Sequence, residues 1–245
     1  MDTILSIKPV LAISVSLLAV PLIVLSNKKP NLREFWTFLA AVAKFLIILS
    51  MLPVILKGNQ ITFTIAQVLP EIGIKLKVDA FGILFALVSS FLWIITSAYS
   101  IGYMRSLKEH SQTRYFCFFA VSLSATIGVA FSANLLTLYL FYEILSFATF
   151  PLVAHHQDTK ARNSGRKYLL YIVGGSIGLV LPAMLFVFNM TGTLDFSGQG
   201  VFTGKESAIT LTVLLLLFVF GFAKAGIMPF HSWLPAAMVA PTPVS

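Results

Sequence analysis

Seven apolar runs, most about twenty residues long, leave this chain no soluble way to fold. They lie near 4–25, 35–56, 79–103, 115–132, 134–153, 168–190 and 209–228. Twenty residues of α-helix rise about 30 Å, the thickness of bilayer hydrocarbon. Backbone polar groups at that depth must be satisfied within their own segment, so each run predicts a transmembrane helix. Composition closes the alternative. Charged residues make up 11% of the chain and hydrophobic ones 58%, with a mean hydropathy of +0.91. A soluble domain carries about 25% charged residues to cover its surface. The expectation is an all-α polytopic membrane protein at the cell membrane, in contact with the lipid bilayer.

The seventh run breaks the pattern. Its apolar character continues from Ile209 to Ala240, roughly 48 Å at helical rise, too long for one straight span. Gly226 and Pro229 offer the place to interrupt it. Between runs, only Lys57 to Val78 is long, and Ile61, Phe63 and Ile65 alternate there with Thr62, Thr64 and Ala66. That alternation predicts a short surface hairpin.

The net charge of +8 suggests a nucleic-acid partner only until the cations are placed. Lys28, Lys29, Arg33, Arg105, Lys108, Arg114, Lys160, Arg162, Arg166 and Lys167 fall between runs on one side. Lys8, Lys57, Lys75, Lys77 and Lys205 fall on the other, ten against five. The richer side reads as cytoplasmic and the N-terminus as outside, with no nucleic acid. Asp2 and Lys8 make the first run a poor cleavable signal, so it reads as an uncleaved helix. The single cysteine, Cys117, rules out an internal disulfide and any multi-cysteine metal site.

Three ionisable groups remain inside the runs: Lys44, Glu143 and Lys224. Each costs about 2.5–3.5 kcal/mol at a helix centre, so each needs a partner or a cavity. Glu143, central in the fifth run with Tyr139 one turn before it, reads either as a tie between helices or as a proton-exchanging acid. Lys224, beside the expected break, reads as its mobile partner or as a lysine reaching for the interface. The break favours the first reading, because loosened backbone at membrane depth needs a polar lumen. An opposite charge at close range favours an ionised form and desolvation disfavours it, so relative movement of such a pair switches proton affinity. For Lys44 the expectation is a side chain bending toward a surface or toward a neighbouring subunit. His231 follows the break and suits a relay or a structural hydrogen bond equally. His155 and His156 read as solvated interfacial residues, and Asp79 as a helix N-cap. Gly174 and Gly175 read as a close helix contact. No nucleotide-binding, metal-binding or hydrolytic constellation is present, so no cofactor and no enzyme activity of its own are expected.

These residues carry a resemblance. The stretch Gly221 to Met238, with Lys224, Pro229, His231 and Trp233, followed by Ala240 to Ser245, resembles the signature of antiporter-like membrane subunits. Such subunits occur in respiratory complex I, membrane-bound hydrogenases and Mrp cation/proton antiporters. Ser132 to Leu135 and Phe141 to Ser146 are similar to the family's fifth helix. Val78 to Gly82 and Tyr99 to Met104 are similar to its third, and within the family the D-type Mrp subunit is most similar. The resemblance implies a proton half-channel in which Glu143 and Lys224 pair and part, with His231 less constant among branches. It implies other membrane subunits as partners, protons and possible sodium as cargo, and a redox-driven pump or a non-transporting assembly subunit as alternatives. Family subunits have fourteen helices in two inverted repeats, so this chain corresponds to the N-terminal half. Residues 1–114 are expected to hold helices 1–3, and 115–245 an incomplete first repeat, helices 4–7. A split or truncated subunit is therefore expected, with a separate chain supplying helices 8–14.

Overall fold

A computed structural model describes residues 3–69, 72–202, 204 and 206–245. Asp2 and Lys205, used above for topology, lie outside the described residues. Among the described residues, six helical stretches are long and apolar enough to cross a membrane. The first is α1 (Lys8–Leu25), followed by α2 (Pro30–Leu49) running on into the short α3 (Leu52–Leu56). Next come α4 (Ala80–Ser106), α5 (Gln112–Ala130) and α6 (Leu135–Val153). The sixth stretch joins α7 (Thr159–Gly175) to α8 (Leu181–Thr191) through a π-helical turn at Ser176–Val180. A shorter apolar helix, α9 (Ala208–Gly221), begins the seventh run.

Local chemistry sets these ends. Asp79 caps α4 as expected, its carboxylate accepting from Gly82 N at 2.8 Å. Asn134 caps α6 through Thr137 N at 2.8 Å, and Asp158 caps α7 through Ala161 N at 2.6 Å. Asp158 explains one departure from the sequence reading. The basic stretch from Lys160 to Lys167, expected as a loop, is the opening of α7, because the cap starts the helix before the apolar residues begin. The π turn was not foreseen. It ends where Pro182, with no N–H to offer the carbonyl four residues back, interrupts the α pattern.

The expected hairpin is present as β2 (Gln60–Leu69) and β3 (Ile72–Val78). A third strand, β1 (Thr3–Leu5), pairs parallel to β2 in the register Thr3 to Gln60. The first helix therefore starts at Lys8, later than its apolar run.

The chain divides into two compact units. One comprises residues 1–66 and 75–132, the other 67–74 and 133–245. In the first, α1 packs on α2 and α5, and α4 packs on α2 and α5. Ala12, Ala41, Ala86 and Ala120 are fully buried there, small residues that let helices approach without large side chains between them. In the second, Ala183, Met184, Val187, Leu194 and Leu214 form a core with Ile72.

Contacts within each unit sort the connections by side. In the first unit the Thr113 hydroxyl donates to Asn27 Oδ1 at 2.5 Å, joining the segment before α2 to the first turn of α5. Leu76 bridges Ser132, joining the hairpin to the segment after α5. In the second unit Asn134 bridges Asp195, and its amide donates to Gly73 O at 2.7 Å. The alternation of connections read from the sequence is built into the packing.

Candidate functional site

Glu143, Lys224 and His231 all fall in the second unit, on α6 and on the broken seventh run. The break begins earlier than the sequence suggested and runs on through Gly226 and Pro229. α9 stops at Gly221, and Phe222 leaves helical geometry with ψ 61°. A single 3-10 turn, Ala223–Ala225, follows and is ended by Gly226 at φ 65°. Lys224 thus sits inside the interruption and not on the helix before it. The chain re-enters helix only at α10 (Trp233–Ala237), where the Trp233 indole donates to Ala223 O at 2.9 Å and ties the turn down.

Close packing puts the interruption against the π turn. A Cβ on Gly221 would meet Val180 Cγ2 at 2.5 Å, and one on Gly175 would meet Gly221 O at 3.2 Å. Of the glycine pair expected to allow helix contact, Gly175 does so. Gly174 faces open space.

Lys224 is held by tyrosines. Its ammonium donates to Tyr168 Oη at 2.7 Å, and its backbone N–H donates to Tyr142 Oη at 3.3 Å. The ammonium lies 5.3 Å from the Tyr142 ring centroid and 5.2 Å from that of Tyr168, so both rings face a cation. Beyond Tyr168, the Thr149 hydroxyl is 2.6 Å away and donates to Leu145 O at 2.8 Å. With its proton used there, Thr149 accepts from Tyr168. A directed chain therefore runs from the Lys224 ammonium through two hydroxyls to the α6 backbone. A cavity of about 320 Å³ opens beside it, lined by Thr149, Tyr168, Lys224 and Trp233 among others.

Glu143 is left apart. Both carboxylate oxygens are buried without a hydrogen-bond partner, and no ion pair within 4.0 Å joins them to Lys224. Ser176 offers the carboxylate a hydroxyl, and Lys224 acts on it as a charge at longer range. The Ser176 hydroxyl, however, donates to Val173 O at 3.0 Å. Tyr139, one turn before Glu143, makes no hydrogen bond to its carboxylate and packs against the Ala183–Leu214 core. His231 lies on the turn before α10 with Nδ1 buried and unpartnered, and it makes no hydrogen bond to Lys224 or Glu143.

Two other expectations change. Lys44 does not bend to a surface. It is wholly buried in the first unit, donating to Ser16 Oγ at 2.7 Å and lying 5.2 Å from the Trp93 ring. His155 is not solvated; it is 0% exposed, its ring 5.8 Å from that of His156.

Comparison with known proteins gives a consistent set of likenesses. Residues 132–245 match the family described as NADH:quinone oxidoreductase/Mrp antiporter, transmembrane. The antiporter subunit mnhA2 of Staphylococcus haemolyticus is 28% identical over 222 residues, covering 88% of this chain and 28% of that protein. Na(+)/H(+) antiporter subunit A1 of Staphylococcus aureus (strain bovine RF122 / ET3-1) is 30% identical over 211 residues, 82% of this chain and 25% of that protein. Both of these relatives carry A-type names. Among solved structures, a chain of the membrane-bound sulfane sulfur reductase, an archaeal respiratory membrane complex, superposes with a TM-score of 0.85 at 23% identity. The match covers 98% of this chain and 49% of that one. A chain of the Mrp complex from Dietzia sp. DQ12-45-1b gives 0.81 at 18%, covering 98% and 45%. The chain thus spans about a quarter of the curated relatives and just under half of the solved chains.

Proposed function

We propose that this chain, which belongs to the antiporter-like family of membrane subunits, carries a proton half-channel within a multisubunit membrane complex. Glu143 and Lys224 are the exchanging pair, and His231 is the third member of the path. Sodium is the proposed counter-ion, by likeness to relatives called Na(+)/H(+) antiporter subunits. Residues 115–245 are proposed as the transporting repeat and 1–114 as a supporting bundle, with the N-terminus outside.

One observation carries the reading: the two charges are near each other and not closed into a pair. Lys224 rests on Tyr168 beside a cavity, while both Glu143 oxygens are buried without a partner. Buried polar groups that serve only structure are normally satisfied. A tie between helices would bring ammonium and carboxylate together, because a broken buried pair is costly. An open pair can alternate, and the position of the ammonium then sets where the proton resides. Tyr168 and Thr149 hold the Lys224 ammonium at its turn through a chain that ends on the Leu145 carbonyl, and the cavity beside the ammonium is the proposed exit for its proton.

The test is proton-coupled cation exchange in vesicles holding the assembled complex. Glu143→Ala and Lys224→Ala are each expected to abolish it with membrane content unchanged. Full transport in either variant removes the proposal. The double variant Glu143→Gln, Lys224→Met separates this role from an assembly role. Apolar replacement of a structural pair is often tolerated, so retained transport there would leave the residues as structure only.

A further inference from the structure

The first unit carries a second polar feature that the proton path does not use. At the shared end of α2, α4 and α5 a cleft of about 870 Å³ is lined by Lys29, Asn31, Arg105, Lys108 and Gln112. Arg105, Asn31 and Gln112 in its wall belong to a fixed network. The Glu34 carboxylate is clamped by Arg105, through Nε at 3.0 Å and through Nη2, and by Arg33 at 3.3 Å. Arg105 also donates to Asn31 Oδ1 at 2.6 Å, and Arg33 to Gln112 Oε1 at 2.7 Å. Gln112 in turn donates to Met104 O at 2.9 Å. Two arginines thus share one carboxylate, leaving one positive charge in excess, and exposed Lys29 and Lys108 add two more. α2 begins at this cleft with Pro30 in its first turn, no side-chain cap and no acid in that turn. Its positive end adds to the field.

The depth of the cleft and its lower edge say what kind of anion fits. It lies where spans begin and end, at Pro30, Ser106 and Gln112, the level of lipid headgroups. From it a stripe of exposed apolar residues descends one face of α2: Leu32, Phe35, Leu39 and Leu46, at 39%, 54%, 45% and 55% exposure. The spacing of three, four and seven keeps them on a single helix face. Cations above a continuous apolar track match a phosphate headgroup above its acyl chains. Scattered orientation-setting charges would need neither the clamped network nor the track.

We propose that this cleft binds the phosphate of an anionic phospholipid, whose acyl chain lies along Leu32, Phe35, Leu39 and Leu46. The test uses the purified, detergent-solubilised complex containing the full chain. It is loaded with phosphatidylglycerol bearing a photoactivatable acyl chain, or with the matching phosphatidylcholine, and crosslinked peptides are mapped. Phosphatidylglycerol is expected to label the α2 stripe about fivefold or more above phosphatidylcholine, on the scale of a single interfacial cation. Lys29→Gln with Lys108→Asn, which leaves the excess charge of Arg33 and Arg105 in place, should cut that preference about twofold or more. Asparagine suits position 108, whose φ is 50°. The exposed residues Ile209, Val213 and Leu216 of α9 serve as an internal control that should not discriminate between the lipids. Equal labelling by both lipids, or a preference unchanged in the double variant, overturns the site. Binding of inorganic phosphate to the delipidated complex that is lost in the double variant, together with equal labelling by both lipids, overturns the lipid and assigns the cleft to a soluble anion.

Discussion

Lys224, half-buried, and Lys44, wholly buried, have opposite surroundings, and that contrast separates function from structure. Lys224 meets two tyrosines, a hydroxyl chain and a cavity, with a carboxylate in range. Lys44 is 0% exposed, with one serine hydroxyl and one indole face and no carboxylate in ion-pair contact among the described residues. An ammonium held that way costs more than it returns. Lys44→Met keeps the length of the side chain and removes the charge. Ser16 retains an acceptor in Ile13 O at 3.4 Å. The expected result is a higher Tm, by the equivalent of about 1–3 kcal/mol, with transport unchanged; a lower Tm would show that the charge has an unseen counterpart. Glu143, Lys224 and Lys44 were legible in the sequence because a charge in an apolar run stands out by its cost. Tyr142, Tyr168, Thr149 and Ser176 were not. A tyrosine or threonine is cheap enough in a membrane helix to need no explanation, and only the meeting of α6, α7 and the broken run gives them partners.

Among elements, the crossing of the broken run and the π turn decides the geometry of the site. Gly221 presses on Val180 and Leu179, so that an added Cβ would lie 2.5 Å from Val180 Cγ2. Gly174 sits one residue from Gly175 and would meet nothing. Gly221→Ala is therefore expected to destabilise by about 1–3 kcal/mol through overpacking and to reduce transport by displacing Lys224. Gly174→Ala should be silent in both thermal unfolding and transport, or slightly stabilising as alanine replaces glycine in a helix. Equal effects at the two positions would mean that the crossing is not what holds Lys224. The sequence announced a break from the length of the apolar run and placed it at Gly226 to Pro229, within the interruption but past its start. The helix ends at Gly221 because packing against Val180 selects the glycine that permits contact, and no local signal distinguishes it from the next. The π turn was hidden for a related reason: Pro182 reads as an ordinary proline near a span end until the register of the turn before it is seen.

For the molecule as a whole, the alternation of its connections was the most legible property, since it follows from counting apolar runs. Contacts within each unit support the count. The segment before α2 and the first turn of α5 are joined by Asn27 and Thr113, while Gly73, Asn134 and Asp195 gather at one end of the second unit. Which end faces the cytoplasm is a separate matter, set by the bias of ten basic residues against five. Single cysteines can read it, because Cys117, the only native one, is buried. Ser106 and Asn163 are exposed at the basic ends of α4 and α7, and Thr64 and Ser197 are exposed on the opposite connections. With a membrane-impermeant thiol reagent on intact cells, Thr64→Cys and Ser197→Cys should react at once. Ser106→Cys and Asn163→Cys should react only after permeabilisation. The reverse pattern would invert the orientation and make the proposed proton path open first to the other compartment. Labelling of Ser106→Cys and Asn163→Cys from different sides would break the span count itself.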